Sequence, residues 1–229
     1  LPSGESAEEL PTPDPVVEVT WTTPGLVEVT CPGPIPVDTD IPCEVRILQP
    51  DGTEEWAGPA ALHQRGRSSS SFPKPQYRLT LRDENLADAE VDLFGMGSEA
   101  DWVLNGMWID RALLRNKLAY DLFRALSDGV DWAPESVYVE LTLDGGYQGV
   151  YLLNEVIDRD AARLDFERDD GTGARFIVSA DEQGFASTLQ YAGWHIDSPP
   201  ARELTRQSEA GVQRRIADWE AAVVGGGGF

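Results

Sequence analysis

The chain has 229 residues, 41% of them hydrophobic, and carries 40 acidic against 18 basic side chains, a formal net charge of −22. This length and apolar content support a folded core in one large domain or two small lobes, while so negative a surface repels polyanions and excludes nucleic acid as a partner of the bulk surface. No run of 18 apolar residues occurs, so no transmembrane segment is expected, and Leu1 in place of an initiating Met points to a leader or boundary before it.

Residues 1–15, rich in Pro, Ser and Glu, have almost nothing to bury and read as a flexible acidic leader. From there VVEVTW (16–21), LVEVTC (26–31) and CEVRILQP (43–50) alternate apolar and polar residues, the period of a half-buried strand. Gln49-Pro50-Asp51-Gly52 is a turn signal, and a fourth strand is expected from Glu54 to His63. Cys31 and Cys43, the only cysteines, lie at or near the ends of two of these runs. If the strands pair, a disulfide is geometrically reasonable and would stabilise by about 3 kcal/mol in the chain-entropy model. That would point to export; the alternative is two buried free thiols.

Positive charge concentrates in QRGRSSSSFPKPQYRLTLRD, residues 64–83. A glycine-containing Ser run beside Arg65, Arg67, Lys74, Arg78 and Arg82 offers the backbone N–H groups and guanidinium forks that bind phosphate. The competing reading is a solvated loop whose arginines pair with the abundant carboxylates, and the Walker spacing is absent. Tyr77, Leu79 and Leu81 alternate with Arg78, so the segment ends in a strand. Leu93-Phe94-Gly95-Met96 and Asp101-Trp102-Val103-Leu104 read as packing. A helix is expected from Asp110, acting as its cap, to Leu126, with an apolar stripe of Leu114, Leu118 and Leu122 and with Arg115 and Asn116 at the stripe's edge.

Residues 136–158 constrain the chain most. Val137, Val139, Leu141 and Leu143 alternate with polar partners, Asp144-Gly145-Gly146 is a tight turn, and Tyr147 to Leu153 return as a second strand. Its polar exit, Asn154-Glu155-Val156-Ile157-Asp158, offers backbone groups to a ligand or to the next turn. Residues 158–173 read as a polar loop, followed by two weak strands. His195 stands alone and supports neither a triad nor a metal site, and Asp197 and Asp218 read as isolated surface carboxylates. Leu204 to Val224 form a second amphipathic helix with Val212, Ile216, Trp219 and Val223 on one face.

The blocks RGRSSSSFPKPQYRLTL, LFGMGSEADWVLNGMWIDRALLRNKLAYDL and APESVYVELTLDGGYQGVYLLNEVIDRDAARLD together resemble the CotH family of spore-coat-protein-H-like atypical kinases. The resemblance implies an α+β, divergent protein-kinase-like fold: an antiparallel-sheet N-terminal lobe with an αC-like helix at 110–126, and a partial C-terminal lobe. It divides the chain into the leader 1–15, a sheet-rich lobe 16–155 and the start of a second lobe 156–229. It implies ATP and Mg as cofactors, with adenine at the hinge Asn154, Glu155 and Val156, and phosphates near Arg65 and the Ser loop at Ser69. Either Lys74 or Arg78 would steady them, and spacing does not choose between the two. The metal-holding aspartates of the family are expected beyond Phe229, so no catalytic or metal residue is assigned here and this chain alone is expected to be inactive. The implied partners are a nucleotide and a protein substrate or surface partner, in an exported, extracellular or cell-surface setting. Against a kinase fragment phosphorylating Ser or Thr of surface or coat proteins stand a non-catalytic CotH-like attachment or assembly module and, further off, a glycan-binding β domain using some of the seven tryptophans.

Overall fold

The computed structural model describes residues 23–66, 68–127, 132–159, 163–164, 176–181, 185–187, 193–198 and 201–224. The strand expected at 16–21 lies outside them. Seven strands form a closed barrel: β1 (Gly25–Thr30), β2 (Ile41–Leu48), β3 (Glu54–Arg65), β4 (Gln76–Leu81), β7 (Asp101–Asn105), β9 (Gly146–Glu155) and β8 (Ser136–Leu143), in that order round the wall. Two short strands, β5 (Val91–Asp92) and β6 (Ser98–Glu99), form a separate ribbon. Strands β10 (Ile177–Asp181), β12 (Gly193–Ser198) and β11 (Phe185–Ala186) make a second sheet in that order. The α-helices are α1 (Arg115–Leu126) and α2 (Arg206–Val224).

Alternation sets the barrel interior. Val27 and Val29 of β1, Val45 and Ile47 of β2, Leu79 and Leu81 of β4, Val139 and Leu141 of β8, and Tyr151 and Leu153 of β9 all point into one core, each 0–3% exposed. The β8–β9 hairpin turns on Asp144 and Gly145, at φ of 49° and 77°, the two positive values that a two-residue type I′ turn requires. The Asp144 Oδ1 atom accepts a hydrogen bond from the Cys31 amide at 2.9 Å, and the Asp144 amide donates to Val29 O at 2.8 Å. This end of the barrel is therefore stitched to β1. The Cys31–Cys43 disulfide forms beside it, joining the end of β1 to β2.

The kinase-like fold is overturned. In place of an open antiparallel lobe with an αC-like helix, β1 lies parallel to β8, Gly25 opposite Val139 and Val29 opposite Leu143, and closes the ring. The reason is topological: antiparallel alternation cannot close round an odd number of strands, so one of the seven pairs must be parallel. The helix departs from expectation as well. It begins at Arg115, five residues after Asp110, because Leu113 takes φ 56° and the Asp110 carboxylate accepts from the Ala112 and Arg115 amides, holding a turn ahead of the helix. Its leucine stripe does not face the core: Leu114, Leu118, Leu122 and Leu126 are 52–75% exposed, and no residue of α1 is buried. The side of α1 facing the protein is polar.

Helix α2 opens with Thr205 and Ser208 bonding each other's backbone groups at its N-terminus, Ser208 N to Thr205 Oγ1 at 3.0 Å. Val212 is fully buried, whereas Trp219 and Val223 are more than two-fifths exposed. Its buried anchor is one that periodicity does not select: Glu220, 2% exposed, accepts from Trp194 Nε1 at 2.7 Å and from Ser187 Oγ at 2.5 Å. The Trp194 and Trp219 rings meet edge-on, 5.9 Å apart.

Candidate functional site

A cavity of about 620 Å³ lies against the outer face of the barrel wall where β3, β4, β7 and β9 run side by side. Because Tyr77 and Leu79, Leu104, and Leu153 point inward, Arg78, Val103 and Asn154 point outward, and the register aligns them in one row across β4, β7 and β9. Arg65 ends β3, opposite Gln76. Asn116 and Tyr120 of α1 form one side wall, and Ile177, Val178 and Ser179 of β10 with Asp197 of β12 form another. The β9 exit adds Val156, Ile157 and Asp158. With strands ~4.8 Å apart, β3 and β9 stand roughly 14 Å apart. The cavity is cationic at its β3–β4 end and carries amides, aliphatic side chains and carboxylates at its β9 end.

The cationic end is held by a fork. Arg78 donates from Nη2 to Asp101 Oδ2 at 2.7 Å and from Nε to Asp101 Oδ1 at 3.4 Å, and Thr80 Oγ1 donates to the same carboxylate at 2.5 Å. Burial alone would raise the Asp101 pKa; the hydrogen bonds from Arg78 and Thr80, with the Arg78 and Arg163 cations, outweigh it and hold Asp101 below the ordinary aspartate value. The Arg65 guanidinium is held below its usual value, first by burial and then by the facing Arg78 cation, with Tyr120 and Asp38 opposing. Arginine stays charged under such pressure. Two cations thus line the same open volume, an arrangement that suits an anion between them.

Under the β9 end lies a buried ionic layer. Glu155, 2% exposed, accepts from the Glu135 amide at 2.7 Å and stands 3.7 Å from Arg163 Nε. Arg163 donates to Asp101 O at 2.7 Å, pairs with Glu99 at 3.7 Å, and lies over the Trp102 ring, 5.7 Å from its centroid. Burial dominates and raises the Glu155 pKa in spite of the Glu135 amide and Arg163. The Glu155 side chain is therefore a strut of the wall, pinned in place from two sides.

Of the residues singled out in sequence, Arg65, Arg78, Asn154, Glu155 and Val156 come together on the cavity, and Ser69 and Lys74 do not line it. Lys74 turns to the barrel core: its ammonium donates to Val150 O and lies 4.5 Å from the Tyr151 ring centroid, and burial lowers its pKa. Ser69 belongs to a short 3₁₀ turn, Ser68–Ser71, packed on Gly66. Gly66 has φ 103°, and a Cβ there would sit 2.0 Å from Ser69 Oγ. Gly66→Ala is accordingly expected to cost about 1–3 kcal/mol of backbone strain and to displace its neighbour Arg65, read as a lower melting temperature with weaker anion binding. Sequence reasoning missed Asn105 and Tyr120 and read Asp197 as an isolated surface carboxylate, since these come from three elements that no local pattern connects; Asn116, at the edge of the helix stripe, and Asp158, in the polar exit of β9, were visible.

The outer wall of the barrel thus carries a cavity lined by two arginines, a lining whose chemistry suits an anionic ligand. The family model described as CotH kinase protein matches residues 62–213, and the chain belongs to that family. No curated protein matches it.

Proposed function

We propose that the cavity binds a nucleotide, with its phosphates between Arg65 and Arg78 and its base toward β9, in the service of CotH-type transfer of the terminal phosphoryl group to a Ser or Thr hydroxyl of a surface or coat protein. The carrying observation is the convergence of Arg65 and Arg78, from adjacent strands, on the lining of one cavity of nucleotide size. In this reading Asp101 and Thr80 fix the Arg78 fork before the ligand arrives, so little ordering is required on binding. Arg65 and Arg78 neutralise phosphate charge and hold the terminal group in line for attack.

A Mg²⁺ ion brought with the nucleotide would add further charge neutralisation. Among the described residues no three His, Cys, Asp or Glu side chains form a cation site. Mg²⁺ bound through substrate phosphates commonly needs only one or two carboxylates, and Asp158 and Asp197 are those this cavity offers. The donor set fits the ion in that limited sense. The disulfide and the family membership support an exported setting.

The test is thermal unfolding with ATP, with and without Mg²⁺. At 100 times its dissociation constant a nucleotide stabilises by about 2.7 kcal/mol, and a clear rise in melting temperature is expected at millimolar ATP. No rise with any nucleoside triphosphate removes the reading. A rise supports the nucleotide reading, and phosphate transfer to protein hydroxyls alongside it removes the non-catalytic alternative.

A further inference from the structure

We infer that the outer face of α1 is a dimerisation surface, packing antiparallel against α1 of a second copy of this chain. The helix presents the wrong side to water. Its polar residues Asn116, Lys117, Tyr120, Asp121 and Arg124 are the ones partly covered by the protein, whereas its exposed positions hold only leucine, alanine, Phe123 and the single charge Arg115. A surface helix ordinarily turns its charges to solvent and its apolar stripe to the core. Here the polar side walls the cavity through Asn116 and Tyr120 and bonds the Ala133 and Pro134 carbonyls through Arg124.

Area, shape and charge each point to a second copy as the cover. Leu114, Leu118, Leu122 and Leu126 stand at i+4 spacing as one ridge about 18 Å long, with Phe123 beside it. Trp108 and Ile109 stand at its head, because the Asp110 carboxylate accepts from the Arg115 amide and holds the preceding turn against the start of the helix. These side chains are roughly half to three-quarters exposed. At roughly 150–250 Å² for a large side chain, they offer on the order of 700–800 Å² together. That is close to the ~800 Å² each partner gives to a standard interface, and larger than the apolar patch of a typical monomer. A ridge at i+4 spacing fits the groove beside an identical ridge, the commonest way in which helices pack, so the surface complements itself as a two-fold contact requires. In an antiparallel crossing the exposed Arg115 of each copy lies toward the C-terminal carbonyls of the other α1, the negative end of its dipole. One arginine is too little charge to call for an acidic partner. A helix lying in a membrane surface keeps its polar side in water, and here that side is taken by the cavity wall.

The experiment is sedimentation velocity of the intact chain over a concentration series at low and high salt, repeated on Leu118→Glu, Leu122→Glu and the control Val224→Glu at the exposed end of α2. All three positions are exposed, so each variant is expected to keep the wild-type melting temperature. The wild-type chain is expected to be a dimer whose association tightens as salt screens the repulsion between two chains of net charge −22. Each glutamate on α1 enters the interface twice and should raise the dissociation constant by at least about 100-fold, while Val224→Glu leaves it unchanged. A wild-type chain that stays monomeric at every concentration and salt overturns the inference. So does a dimer that survives both α1 substitutions, is lost only in Val224→Glu, or dissociates as salt is raised. Flotation of a monomer with phosphatidylcholine vesicles, abolished by the α1 substitutions, would overturn it in favour of a membrane. None of these outcomes involves nucleotide, so the inference stands or falls apart from the proposed function.

Discussion

Arg78→Met is expected to weaken nucleotide binding by roughly 10- to 100-fold, the equivalent of one lost hydrogen bond to a charged group. Methionine keeps much of the apolar stem and removes the fork, so the loss reports on the guanidinium rather than on packing. Arg78→Lys should recover only part of the affinity, since a point charge cannot grip Asp101 bidentately while facing a phosphate. The same change has a second, independent signature. Asp101 is held below its ordinary value largely by Arg78, so the stability this pairing contributes is complete at neutral pH and is lost only as pH falls through the lowered value. In Arg78→Met the acid limb of the unfolding curve should move to higher pH. Unchanged ATP affinity together with an unchanged acid limb would show that neither the site nor the clamp works as described.

Trp102→Ala is expected to cost about 3–5 kcal/mol, a large part of the stability of an ordinary domain. Trp102 is fully buried, its Nε1 donates to Glu99 O at 3.1 Å, and its ring supports Arg163 beneath the cavity. Truncation leaves a void in the barrel and removes the platform on which Arg163 meets Glu155 and Glu99. Urea unfolding should show the midpoint falling sharply. Trp102→Phe, which keeps most of the volume but neither the indole N–H nor the full platform, should fall between.

What sequence makes legible here is local. Alternation identifies β1, β2, β3, β4 and the β8–β9 hairpin within a few residues, because apolar residues at every second position have one sensible arrangement. Asp144-Gly145 announces its own turn for the same reason. The parallel seam between β1 and β8 leaves no such trace, since neither strand encodes which distant strand it will lie beside, and the kinase-like open sheet that the family resemblance implies is not what these strands build. Helix α1 misleads more instructively. Its leucine row is a sound amphipathic pattern, but the cavity takes the polar side, Asn116 and Tyr120, and periodicity alone cannot say which face turns inward. At the site, Arg65 and Arg78 were legible as a concentration of charge in an acidic chain. Lys74 looked equivalent to Arg78 because the turn that sends its ammonium onto Tyr151 is set by tertiary contact. Asp197 looked isolated for the same reason, having no partner near it in sequence.

Closing the ring through β1 and β8 leaves the barrel without a free strand edge, so the finished wall offers no template for adding a strand from another molecule. That protection is expected late in folding. The hydrogen bond from the Cys31 amide to Asp144 spans 113 residues of sequence, and contacts of such separation form slowly because the intervening chain must be ordered before they are gained. Until the seam closes, β1 and β8 each present an unpaired edge in the same molecule. The interval before closure, rather than the native barrel, is when this protein is most open to edge-to-edge association with copies of itself.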